Sequence, residues 1–152
     1  MGRAFNKHNQ NSGAIGAGGL NIRALDIPRQ IFASARPFAG GGSLTVIATV
    51  LIETENRMDD VIFREFKGTG NLDLVLSQEI ADRCIWPAID ISKSKTRRVE
   101  LLQNPETLQS ITLLRNTLLS MNSVEAMKEL TDKLRRFKTN DEFLAAIRGV
   151  VR

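Results

Sequence analysis

The chain has 152 residues, of which 42% are apolar and 25% are charged, and a formal net charge of +4. This size and composition predict one globular domain with a sizeable core and exclude a wholly disordered chain. The single cysteine, Cys84, excludes an intrachain disulfide, and with one histidine, His8, no metal centre is expected. The sequence shows neither a signal peptide nor a membrane span, so a cytoplasmic location is expected, and the basic excess favours polyanionic partners.

The N-terminal part predicts the end of a helix, a glycine-rich loop and a new helix. Residues 1–6 read as the tail of a helix, which suggests that the natural protein begins further upstream. Gly13, Gly18 and Gly19 belong to a loop that can approach a ligand closely. The loop lacks the Gly-Lys-Ser/Thr ending of a phosphate-binding loop, so a flexible surface loop is the alternative interpretation. The next helix is predicted to begin at Asp26-Ile27-Pro28.

Residues 43–52 form an almost unbroken apolar run after the turn at Gly40-Gly41-Gly42. Such a run predicts a strand buried on both faces of a parallel sheet with helices on either side. A polar loop follows, at the carboxyl end of the strand, where open α/β sheets place their ligand sites. Arg57 lies in this loop, and Asp59-Asp60 either form a solvated acidic turn or favour the start of a helix.

The middle of the chain predicts a second strand and a short helix. Lys67-Gly68-Thr69-Gly70 forms a turn, Leu72 to Leu76 is the strand, and Ser77 to Arg83 is the helix. The only tryptophan, Trp86, lies in an apolar segment, and we expect it and Cys84 to fill the core.

A basic run carries the most suggestive chemistry of the C-terminal half. Lys93, Lys95, Arg97 and Arg98 are predicted to lie in a loop that leads into a short helix. A solvated charge run without a function is the alternative. Three helices are then predicted, whose first residues follow the capping patterns of Asn104-Pro105, Asn122 with Glu125, and Thr139 with Glu142.

Several segments closely resemble one protein family, the bacterial transcription termination factor Rho, in the last third of its motor domain. The resemblance covers almost the whole chain, from residues 2–6 to residues 139–143. The segments that carry it most clearly are Gly41-Gly42-Ser43-Leu44-Thr45, Arg57-Met58-Asp59-Asp60-Val61-Ile62-Phe63, Glu65-Phe66-Lys67-Gly68-Thr69-Gly70-Asn71 and Pro87-Ala88-Ile89-Asp90.

The resemblance implies a partial RecA-like α/β fold of the P-loop NTPase type, with a mostly parallel sheet, flanking helices and a C-terminal helical tail. Residues 1–103 would be the C-terminal portion of the ATPase domain, and residues 104–152 a helical subdomain of it. The implied activity is that of an RNA-dependent ATPase and helicase, which uses ATP and Mg²⁺ to release transcripts from RNA polymerase. The implied partners are single-stranded RNA, further Rho subunits in a homohexameric ring, and the RNA polymerase elongation complex.

The resemblance also implies roles for individual residues. Arg97 falls on the arginine that reaches the ATP of the neighbouring subunit, where a cation neutralises charge that develops on the phosphoryl group. Arg57 falls on a basic position that faces RNA in the central pore of the ring. The other residues implied to contact RNA are Gly13, Gly18, Gly19, Lys67, Gly68, Thr69 and Gly70.

The chain departs from the family pattern in several ways. Ala14 replaces a basic residue, Cys84 an arginine and Lys95 a glycine. The sequence contains no phosphate-binding loop with its lysine, no acidic strand end for magnesium and no RNA-binding barrel, so we expect no ATP hydrolysis by this chain alone. The alternative hypotheses are a non-catalytic or degenerate fragment that acts only by docking on other subunits, and a small independent RNA-binding module.

Overall fold

A computed structural model describes residues 1–9 and 13–149 of the chain. The residues divide into two compact units, Met1–Thr69 and the part from Gly70 onward. The domain boundary predicted after residue 103 does not coincide with this division after Thr69, and it stays a prediction.

The first unit is built mainly from helices around a small core. Its buried residues Leu20, Ala24 and Leu25 pack against apolar side chains of the third helix. Phe32 and Phe66 meet edge to face, with ring centroids 5.6 Å apart. In chain order the elements are helix α1 (Gly2–His8), a 3₁₀ turn (Ala17–Gly19), helix α2 (Asp26–Ala33), strands β1 (Arg36–Pro37) and β2 (Ser43–Leu44), and helix α3 (Arg57–Phe66).

Helix α3 forms where the acidic residues after Arg57 suggested a helix start. The side chain of Asn56 caps it by accepting a hydrogen bond from the Met58 amide at 2.9 Å, and two acidic residues lie in its first turn. Val61, Ile62 and Phe66 pack against the buried core. The helix interpretation of the acidic residues is confirmed.

The predicted buried parallel strand at residues 43–52 is wrong. Only Ser43–Leu44 joins a ladder, and it pairs antiparallel with Arg36–Pro37 across the glycine turn. Beyond it the chain is irregular, and Ile47 and Leu51 are 89% and 75% exposed. A strand is buried on both faces only when neighbouring strands and helices cover it, and the described residues place no strand beside 45–52.

The described part of the second unit combines a short two-stranded ladder with helices. Strand β3 (Leu72–Asp73) pairs antiparallel with β4 (Lys95–Thr96), so the predicted second strand is present at its start. Asn104 and Asn122 cap the helices that follow, as their patterns predicted. The remaining elements are α4 (Gln78–Asp82), a 3₁₀ turn (Val99–Leu101), α5 (Pro105–Leu119), α6 (Ser123–Leu134) and α7 (Asn140–Gly149).

Two residues expected in the core lie at the surface of this unit. Trp86 is 63% exposed, and Cys84 is exposed with φ +56°. Ile85, which lies between them, packs against the buried cluster that contains Ile80 and Ala88. Ile85 therefore packs on the core where Cys84 and Trp86 were predicted to lie. Among the helices that the structure describes, none is long and apolar enough to cross a membrane.

Candidate nucleic-acid interface and basic loop

The glycine-rich loop contacts the start of helix α3, where Arg57 lies. Gly18 has φ +67°, and a Cβ atom built on it would lie 2.9 Å from the carbonyl oxygen of Arg57. A side chain at this position would collide with the backbone of the helix. Glycine at residue 18 therefore allows the 3₁₀ turn to pack directly against Arg57, the residue for which the resemblance implies an RNA contact.

Asn6, on helix α1, holds the glycine loop in place. Its side chain is almost fully buried, its Nδ2 donates to the Gly19 carbonyl oxygen at 3.1 Å, and its Oδ1 accepts from the Asn21 amide at 2.6 Å. Nδ2 also lies 3.6 Å from the Sδ atom of Met58. Sequence reasoning gave Asn6 no role, because its partners are thirteen or more residues away along the chain.

A second polar contact links α1 to the first turn of α3. Arg3 forms a salt bridge with the buried carboxylate of Asp59, with Nε 2.8 Å from Oδ1, and the Thr54 hydroxyl donates to the same carboxylate at 2.7 Å. The hydrogen bonds from Arg3 and then Thr54 lower the pKa of Asp59 to about 2. Asp59 therefore stays ionised at neutral pH, next to the backbone of Arg57 and Met58.

Arg57 is exposed at the first position of α3. Its side chain has no hydrogen bond or salt bridge with any residue in the described ranges 1–9 and 13–149. The first turn of α3 also contains the carboxylates of Asp59 and Asp60, and Arg3 pairs with Asp59, so Arg57 is left as an exposed cation at this end of the helix.

Lys67, Gly68 and Thr69 lie at the other end of α3. A helix of this length, ten residues, spans about 15 Å, so the structure does not bring this turn to Arg57. The Lys67 ammonium lies 5.3 Å from the centre of the Phe63 ring, in a cation–π contact. Gly70, the last residue of the predicted turn, belongs to the second unit.

In the second unit, Asp90 shapes the turn at the start of the basic loop. Its buried carboxylate accepts hydrogen bonds from the Ser92 amide at 3.0 Å, the Ser92 hydroxyl at 2.6 Å and the Lys93 amide at 3.2 Å. Burial raises the pKa of Asp90, but the hydrogen bonds from Ser92 and Lys93 outweigh burial, so the pKa lies below its ordinary value. The carboxylate that organises the turn is therefore ionised.

Further hydrogen bonds fix the loop backbone as far as Arg97. The Ser94 hydroxyl donates to the Asp90 carbonyl oxygen at 2.7 Å, and Arg115 on α5 donates to the Ser94 carbonyl oxygen at 2.6 Å. The Arg97 amide donates to the Asn71 carbonyl oxygen at 2.8 Å. These contacts place Arg97 on an ordered backbone, and sequence reasoning missed Asp90, Ser94 and Arg115 because their contacts depend on the fold.

The four cations of the basic loop differ in their partners. Lys93, Lys95 and Arg98 each form a salt bridge, with Asp90, Asp73 and Glu100 respectively. Arg97 is exposed, and its side chain has no such partner within the described part of the chain. Of the four, Arg97 is therefore the cation available to an external anion. No group of three or more His, Cys, Asp or Glu side chains in the described ranges could hold a metal ion.

Comparison with known sequences shows a close similarity to one kind of protein. The chain is 51% identical to transcription termination factor Rho of Aquifex aeolicus over 145 residues, 95% of this chain and 33% of that protein. It is 50% identical to Rho 1 of Ehrlichia chaffeensis over 94% of this chain and 34% of that protein. The chain matches a C-terminal fragment of Rho. Against Rho of Pseudomonas aeruginosa the identity is 45%, over 97% of this chain and 35% of that protein.

The chain thus spans about a third of the length of the Rho proteins that it matches. No family model matches it. Among solved structures, it is similar to a prototypical ATPase from the type III secretion system of pathogenic bacteria, with a TM-score of 0.77 and 21% identity. That similarity covers 99% of this chain and 51% of the ATPase, and it confirms the predicted RecA-like α/β fold class.

Proposed function

We propose that this chain is the RNA-facing and subunit-contacting part of a Rho-like motor that uses ATP to translocate along RNA and release transcripts from RNA polymerase. The similarity to Rho over 94% or more of the chain supports this proposal. The observation that carries it is the contact of the glycine loop, through Gly18, with the backbone of Arg57. Two segments that are far apart in sequence, each with an implied RNA contact, meet at one surface.

In this proposal Arg57 contacts phosphate or 2′-hydroxyl groups of single-stranded RNA, while the glycine loop lets the RNA backbone approach closely. Such contacts hold RNA with little discrimination between bases, as a translocating motor requires. The turn from Lys67 to Gly70 begins at the opposite end of α3, so it would contact a different stretch of the same RNA.

Arg97 is proposed to act in trans at a subunit interface of a homohexameric ring. In this proposal the neighbouring subunit binds both ATP and Mg²⁺, and this chain supplies only the arginine. Arg97 would place its guanidinium against the phosphates and balance the negative charge that develops during transfer. The support is local, since the loop backbone is fixed and Arg97 has no salt-bridge partner there.

A second candidate function is a non-catalytic fragment that only docks on Rho subunits. Lys95 favours it, because this residue occupies a glycine position of the family pattern and lies in strand β4, paired with Asp73. A loop stiffened in this way could fill the interface without delivering Arg97 to a nucleotide.

The test is RNA-stimulated ATPase activity of the purified chain, alone and mixed with full-length Rho in which the arginine corresponding to Arg97 is alanine. We expect no activity from the chain alone and a rise of about tenfold or more in the mixture, because a supplied arginine restores charge stabilisation. Arg97→Ala should abolish the rise. Arg98→Ala is the matched control, since Arg98 is adjacent and already paired with Glu100.

Activity of the chain alone would contradict the assignment of ATP binding to the neighbour. A folded chain that cosediments with the arginine-deficient Rho but restores no activity would support the docking fragment instead. If Arg97→Ala and Arg98→Ala reduce the ATPase activity of the mixture equally, Arg97 has no specific role.

A further inference from the structure

We infer that Arg23 supplies the cation that the glycine loop lacks at Ala14, and that it binds the phosphodiester backbone of single-stranded RNA. This inference rests on the proposed RNA contact of the loop and adds a binding residue to it. Neither the resemblance to Rho nor the hydrophobic pattern of the sequence pointed to Arg23.

The glycine loop is a small hairpin that brings Arg23 next to Ala14. Ile15 and Asn21 form an antiparallel bridge, and the Ile22 amide donates to the Ala14 carbonyl oxygen at 3.3 Å. The chain turns at residues 21–24, where the Ala24 amide donates to the Asn21 carbonyl oxygen at 3.0 Å, so Arg23 directly follows the residue that is bonded to Ala14. Arg23 therefore lies at the open end of the hairpin, while Gly18 at its closed end contacts the backbone of Arg57.

The open end of the hairpin forms a cavity of about 410 Å³, lined by Gly13, Ala14, Asn21, Ile22 and Arg23. None of these lining residues is acidic, so no carboxylate there would repel a phosphate. The Arg23 amide donates to the Asn21 side-chain oxygen at 2.9 Å, which fixes the backbone from which the guanidinium extends. Arg23 is thus the charged residue of the cavity, and its other lining residues are uncharged.

The charge of Arg23 is available to a ligand. The side chain is exposed, and it has no hydrogen bond or salt bridge with a residue that the structure describes. Two other arginines of the first unit, Arg3 and Arg29, are held by the carboxylates of Asp59 and Glu65. A guanidinium group binds phosphate oxygens through paired N–H donors, whereas the methyl group of Ala14 offers none.

The test is fluorescence anisotropy of a short labelled oligouridylate titrated with the full chain over a series of salt concentrations. Arg23→Ala should weaken binding about three- to tenfold and lower the slope of log K against log salt by about 0.7, the value for one lost contact to a single strand. The double variant Ala14→Lys with Arg23→Ala should restore both quantities. Arg64→Ala is the matched control, because Arg64 is also exposed in the first unit and has no salt bridge among the described residues.

The outcomes separate this inference from the function on which it rests. If Arg57→Ala weakens binding while Arg23→Ala changes it no more than Arg64→Ala, the role of Arg23 is overturned and the RNA surface stands. If the wild-type chain does not bind the oligouridylate, or Arg57→Ala has no effect, the proposed RNA contact fails and the inference fails with it. Circular dichroism of each variant excludes loss of folding as the cause.

Discussion

Gly18 is the residue on which the contact between the glycine loop and α3 depends most directly. Gly18→Ala should lower the free energy of unfolding by about 2–4 kcal/mol, because alanine is strained at positive φ and its methyl group would overlap the backbone of Arg57. Denaturant titration followed by circular dichroism measures the change.

Gly19 provides the matched control for that substitution. It has a similar positive φ of +74°, but a Cβ atom built there meets nothing within 4 Å. Gly19→Ala should therefore cost only the backbone strain, about 1–2 kcal/mol. Equal costs for the two variants would show that the loop does not rest on the helix in solution.

At this scale the sequence indicated some residues and could not indicate others. Glycines at Gly18 and Gly19 and a cation at Arg57 are visible as residue types with a known chemistry. The role of Asn6 depends on two partners brought together by folding, and the exposure of Trp86 depends on which neighbour fills the core. Neither property is encoded in the immediate sequence.

At the scale of elements, residues 45–52 show how a correct local pattern can give a wrong structure. The helix starts at Asn104 and Asn122 were predicted correctly because each asparagine caps its helix through a contact three residues away. A strand depends on partners that are distant in sequence, so an apolar run indicates a strand but cannot supply its neighbours.

The amides of residues 45–52 should consequently exchange with solvent rapidly. None of them donates a backbone hydrogen bond to another described residue, whereas α3 is a regular hydrogen-bonded helix. Hydrogen exchange followed by mass spectrometry at low protein concentration should show the segment exchanging at least about tenfold faster than residues 61–66. Protection equal to that of α3 would mean that the segment is paired in solution, as the sequence predicted.

For the whole molecule, exposed apolar surface sets the behaviour in solution. Ile47 and Leu51 are largely exposed within an irregular segment, and the chain spans about a third of the length of its Rho relatives. Surface of this kind, beside unpaired backbone, favours association between copies. We expect the sedimentation coefficient of the chain to rise with its concentration.

Charge at the two exposed positions should reduce this association. The double variant Ile47→Lys with Leu51→Lys should sediment as a monomer at concentrations where the wild type associates, with little change in the free energy of unfolding, because neither side chain is buried. An unchanged sedimentation profile would mean that copies of the chain associate through a different surface.

Trp86 is the only tryptophan of the chain and is 63% exposed, in the second unit. Its fluorescence should therefore have the long-wavelength maximum of an indole in water and be quenched readily by iodide. Any partner that covers this face would shift the emission to the blue and shield it from the quencher. The protein thus carries a built-in optical reporter of contacts to the second unit, which needs no added dye.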